Sequence, residues 1–147
     1  MANYQLPERE DPLILTIPGI DNSGPNHWQS RWETGRDDCV RVELGMWDKP
    51  HRNAWVTRLD QAIRTARAPV VLVAHSLGCL AVAWWAELAR QPFGWPVAGA
   101  LLVAPADVDR ADAASELRAF SPTPGAPLPF PSIVVASTDD PWVTIEK

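Results

Sequence analysis

The chain has 147 residues, enough for one domain whose core removes roughly 70% of its unfolded surface from water. Its apolar fraction of 46%, charged fraction of 21% and net charge of −5 are those of a globular protein without a nucleic-acid surface, because no basic run gathers phosphate contacts. The polar N-terminus lacks the apolar core of a signal peptide, and no run approaches the roughly 20 apolar residues of a membrane span.

In chain order, residues 1–11 read as a flexible polar tail. Pro12–Ile17 is a short, branched, apolar run and predicts a buried strand. Pro18-Gly-Ile-Asp-Asn-Ser-Gly-Pro25 is a loop by its turn residues, and Pro25 suits a helix start. That helix carries Trp28 and Trp32 at i, i+4 and stops near Gly35. Cys39–Glu43 alternates and reads as a second strand. Arg52–Arg67 places Trp55, Leu59, Ala62, Ile63 and Ala66 at helical spacing, and Pro69 ends it. Val70–Val73 is apolar throughout, as in a strand covered on both faces. Leu77–Gln91 is a helix, Val97–Val103 a fourth strand, Ala111–Phe120 a short helix and Ile133–Ala136 a fifth strand. The five prolines between Ser121 and Pro131 exclude a helix or central strand there and predict an ordered extended loop; a proline-rich ligand for a partner domain is the rival reading. Alternating strands and helices imply one α/β domain over 1–147, doubly wound, with a mostly parallel sheet covered on both faces.

Cys39 and Cys79 fit no metal or redox spacing and read as reduced, buried thiols of a cytoplasmic protein. No cofactor is implied, and neither a Gly-rich dinucleotide turn nor a P-loop follows any strand.

The chemistry-bearing stretch is Val-Ala-His-Ser-Leu-Gly-Cys at 73–79. A serine on a sharp strand-to-helix turn, with small residues two positions to either side, is held where it can attack an acyl group. Here those residues are Ala74 and Gly78, and Ala74 departs mildly from the strict glycine. The helix N-terminus supplies the Leu77 amide as one oxyanion donor, and the Pro18-Gly19-Ile20 turn after the first strand offers the Ile20 amide as the second. The competing reading is a serine helix cap. His75 adjoins Ser76 and reads as packing of the turn. His27, just after the Pro-Gly loop, and His51, at a helix start, read as structural. Asp139 and Asp140 follow the last strand, where the acid of a Ser-Asp-His order belongs, although Asp140-Pro141 is also a helix-start signal.

Gly-Pro-Asn-His-Trp at 24–28, Trp47-Asp48 with Pro50, the 73–79 stretch, Val-Ala-Pro at 103–105 and Pro-Phe-Pro-Ser…Ala-Ser-Thr-Asp-Asp-Pro at 129–141 together resemble the small serine hydrolases of the retinoblastoma-binding protein 9 and YdeN type. The resemblance runs from Pro12 to Lys147. It implies a minimal α/β-hydrolase with Ser76 as nucleophile and Asp140 as acid, acting on a small ester, thioester or amide through an acyl-enzyme. The family's histidine lies in a loop after one further strand, which these 147 residues do not contain. A partial copy of a longer protein is the preferred account of that gap. A non-catalytic interaction module is the alternative, with a protein partner or a homodimer formed through an open sheet edge. Eight tryptophans raise the further expectation of an aromatic-lined pocket, against core packing for most of them.

Overall fold

A computed structural model describes residues 11–136. Five strands form one sheet: β1 (Leu13–Ile17), β2 (Cys39–Arg41), β3 (Val70–His75), β4 (Val97–Val103) and β5 (Ser132–Val135). The helices are α1 (Trp28–Gly35), α2 (Arg52–Ala66), α3 (Leu77–Ala89) and the four-residue α4 (Ser115–Arg118). Strand order is β2-β1-β3-β4-β5, and every pairing is parallel. The expected doubly wound α/β architecture is therefore present. The order reverses between β1 and β3, and in such sheets the crevice beyond the strand carboxyl ends at that point is the binding position.

β3 lies between β1 and β4 at the centre of the sheet, and side chains on both of its faces are buried. Val70, Leu72, Val73 and Ala74 are buried, which explains a run with no polar alternation. The helical stripe of α2 buries Trp55, Val56, Leu59 and Ile63, and α2 packs against α3. Trp55 and Trp85 are the largest wholly buried side chains. Their indole N–H groups reach the Gly45 carbonyl and the Asp60 carboxylate, both at 2.9 Å, so burial leaves neither donor unpaired.

Two helix bounds shift, and α1 packs through polar side chains. Pro25 and Asn26 form a turn, and α1 begins at Trp28 because His27 caps it: its Nδ1 accepts the Gln29 amide at 3.1 Å. The tryptophan pair of α1 is not its packing face, since Trp32 is exposed while Gln29 and Ser30 are buried. The segment 111–120 yields only Ser115–Arg118 as helix. Residues 121–131 carry neither helix nor strand, as their prolines predict. The buried amide of Gln91 fastens this loop to the sheet, donating to the carbonyls of Val97 and Pro129 and accepting the Val97 amide.

Candidate active site

Ser76 stands between the last residue of β3 and the first of α3, with φ 54° and ψ −121°. A positive φ is uncommon for a residue with a Cβ, and the surroundings must hold it there. They do so with backbone: the Ser76 amide donates to the Val103 carbonyl at 3.0 Å, and its carbonyl accepts from the Cys79 and Ala106 amides. A further condition is the space over Gly78. A Cβ on Gly78 would stand 2.3 Å from the Ile17 carbonyl oxygen and 2.6 Å from that of Pro18, so α3 can begin this close to β1 only with glycine there. Ala74 fits where the strict pattern has glycine because its methyl enters the core between β1 and β4, wholly buried opposite Ile17 and Leu102.

Although Ser76 occupies the N-cap position of α3, its side chain makes no capping hydrogen bond. The hydroxyl is thus left out of the role that would make this an ordinary helix cap. It opens instead onto a cavity of about 430 Å³ whose walls include Gly19, Ile20, His27, His75 and Leu117. No tryptophan lines this cavity among the described residues, and Trp142 lies outside them.

The turn after β1 lies directly against the serine turn. A Cβ on Gly19 would come within 3.1 Å of Ser76 Cβ and 3.3 Å of the Leu77 amide nitrogen. Beyond it Asp21 and Asn22 both take left-handed conformations, with φ 64° and 67°, and the Asp21 amide donates to the Trp47 carbonyl at 2.8 Å. Ile20, which precedes them, lines the cavity. The two amides singled out from the sequence, Leu77 and Ile20, therefore belong to segments packed against each other at the same mouth.

Behind the turn lies a polar cluster that sequence reasoning missed. Gln29 is wholly buried and spends its entire amide: Nε2 donates to the carbonyls of Ile17 (3.2 Å) and Val73 (2.9 Å), and Oε1 accepts from Ser23 Oγ (2.8 Å). Arg41 donates to the Ser23 carbonyl and to Asn22 Oδ1, and pairs with Glu33 at 3.0 Å; Glu33 also accepts from the buried hydroxyl of Thr16. The only available signal was the short spacing of polar residues on the face of α1 opposite its tryptophans.

The histidines divide by position. His27 and His75 both reach the cavity, with ring centroids 4.7 Å apart in an edge-to-face arrangement, and Trp28 packs edge-on to His75. Since His27 Nδ1 accepts a backbone N–H, its neutral ring carries its proton on Nε2. Burial, and then the nearby Arg41 charge, lower its pKa, with Glu33 opposing. His51 precedes α2 without a capping bond and does not line the cavity. Burial pushes the Cys39 thiol up to about 11 and raises that of Cys79 further, so neither is a nucleophile near neutral pH. Asp139 and Asp140 lie outside the described residues. Among those described, no helix is long and apolar enough to cross a membrane.

The chain is similar to solved hydrolases. A structure described as a YdeN-like hydrolase from Pectobacterium atrosepticum aligns over 92% of this chain and 68% of its own, at 27% identity and a TM-score of 0.78. The ydeN gene product of Bacillus subtilis aligns over 92% of this chain and 76% of its own, at 22% identity and a TM-score of 0.65. A structure described as an α/β-superfamily hydrolase from Xanthomonas campestris covers the same shares at 20% identity and a TM-score of 0.58. No curated protein sequence matches significantly. The serine hydrolase family model matches residues 14–147, almost the whole chain, and with an α/β-hydrolase sheet and a serine on a strained turn at its switch point, the chain belongs to the serine hydrolase family.

Proposed function

We propose that Ser76 is the nucleophile of a hydrolase that cleaves a small ester, thioester or amide through an acyl-enzyme. The observation that carries this is the strained, uncapped Ser76 hydroxyl opening onto a cavity at the β1/β3 switch point. A serine used only as a cap would take relaxed backbone angles and bond the helix amides.

In this reading Ser76 Oγ attacks the acyl carbon and transfers its proton to the family's imidazole, which the resemblance places after one further strand outside these 147 residues, with Asp140 orienting it. The amides of Leu77 and Ile20 receive the charge that develops on the carbonyl oxygen, and the positive end of α3 adds to their field. Acyl transfer to Ser76 expels the alcohol, thiol or amine; water then releases the acid. His27 is a poor base from where it stands, because its Nδ1 is occupied and its Nε2 already bears the proton. The Ile20, Ala106 and Leu117 lining of the cavity favours an apolar acyl group.

A fluorophosphonate probe tests the reading. It is expected to label the protein at Ser76, with labelling abolished in Ser76→Ala. A full-length, folded protein that stays unlabelled, or labelling that persists in Ser76→Ala, overturns it.

A further inference from the structure

We infer that Gln29 is a positioning residue that fixes the two oxyanion-donor segments relative to each other; this rests on the nucleophile reading of Ser76. β1 and β3 lack a connection at their carboxyl ends. Their pairing ends at Ile17 opposite Ala74, after which the chains diverge, one into the Gly19–Ile20 turn and the other into the Ser76 turn. No ladder joins them at the place where two amides must converge on one oxygen.

The Gln29 side chain replaces that missing ladder. One amide hydrogen goes to the Ile17 carbonyl, three residues before Ile20, and the other to the Val73 carbonyl, three residues before Ser76. Its oxygen takes the Ser23 hydroxyl, three residues after Ile20. Two carbonyls can be satisfied only by the NH₂ end, so the orientation of the amide is unambiguous. With 0% exposure, no water competes for these bonds, and every polar atom of the amide is used. Both donor segments are thereby hung from one rigid group on α1. The positive-φ pair Asp21 and Asn22 is held by the Asp21 amide on the Trp47 carbonyl and by Arg41 on Asn22 and the Ser23 carbonyl, and the clamp adds the Ser23 hydroxyl to these supports.

Positioning of this kind acts on rate rather than on the presence of the site, since oxyanion donors displaced by about 1 Å lose most of their effect. Gln29→Met keeps length and apolar volume but removes all three hydrogen bonds. Fluorophosphonate titration gives two separable readouts, the fraction of protein labelled at completion and the second-order rate constant per labelled site. The expected result for Gln29→Met is a rate constant per site lowered about 10- to 100-fold with the completed fraction unchanged. A merely structural role would lower the completed fraction or the melting temperature and leave the per-site rate intact. Should Gln29→Met not fold, Ser23→Ala keeps both carbonyl bonds and removes only the bond between Gln29 and the turn; its per-site rate is expected to fall by about 3- to 10-fold. A per-site rate equal to the parent's in the folded variants overturns the positioning role alone. A full-length, folded parent protein that is not labelled at all overturns the nucleophile reading and this inference with it.

Discussion

Two glycines make contrasting demands on the site. Any side chain at Gly78 collides with the Ile17 and Pro18 carbonyl oxygens, which are backbone and cannot swing aside. Gly78→Ala is therefore expected to destabilise the fold by about 1–3 kcal/mol, read as a lowered urea midpoint. At Gly19 the added methyl meets neighbours at 3.1–3.3 Å, a distance that small shifts relieve. Gly19→Ala should stay within about 1 kcal/mol of the parent in stability while slowing fluorophosphonate labelling about tenfold, because the methyl intrudes between Ser76 and the Leu77 amide. Equal losses of stability in the two variants, or an unchanged labelling rate in Gly19→Ala, would remove the distinction between a glycine needed for packing and one needed for the oxyanion site.

At the level of elements, legibility followed burial. β3 and β4 could be read from the sequence because strands covered on both faces are apolar throughout, and α2 because its stripe faces the core. Ser76 was legible for the same reason: an apolar strand and an apolar helix bracket it. α1 was legible as a helix ending at Gly35 but not in its packing, because it inverts the usual pattern, turning Gln29 and Ser30 inward and leaving Trp32 exposed; hydrophobic periodicity carries no information about a helix that packs through hydrogen bonds. Its cap was hidden too, since an imidazole seldom fills that role and Pro25 offered a more familiar start. The cap makes α1 sensitive to pH. The folded state holds His27 below its ordinary pKa of 6.5, so the unfolded chain binds the proton more readily. The stability contributed by neutral His27 is complete above about pH 6.5 and is lost as pH falls from there towards the lower folded pKa. Protonation at Nδ1 would also set a donor against the Gln29 amide. His27→Asn keeps a capping acceptor without a titration, so urea midpoints of the parent should fall relative to those of this variant between pH 7.5 and 5.5. Parallel profiles would show that His27 does not titrate in that window.

Among the described residues the sheet is unevenly protected, and that asymmetry bears on where the chemistry sits. β1, β3 and β4 each have a partner on both sides, and Leu15, Leu72 and Leu102 lie in one continuous buried cluster. β5 pairs on one side only within the described residues, and Ile133, Val134 and Val135 are 66%, 60% and 47% exposed. The Ser76 turn hangs from the rigid side, through β3, the Val103 carbonyl at the end of β4 and the Gln29 clamp to β1. A strained backbone conformation persists only where its supports open rarely. Native-state hydrogen exchange should therefore find the slowest amides in β3 and the adjoining residues of β1 and β4, opening with close to the global unfolding free energy. Ile133–Val135 should exchange through smaller, local openings. If the β5 amides instead exchange as slowly as those of Leu72 and Val73 in this 147-residue chain, then β5 is covered in solution. The stability of the site would then have to be argued from a sheet buried on both edges rather than from three central strands.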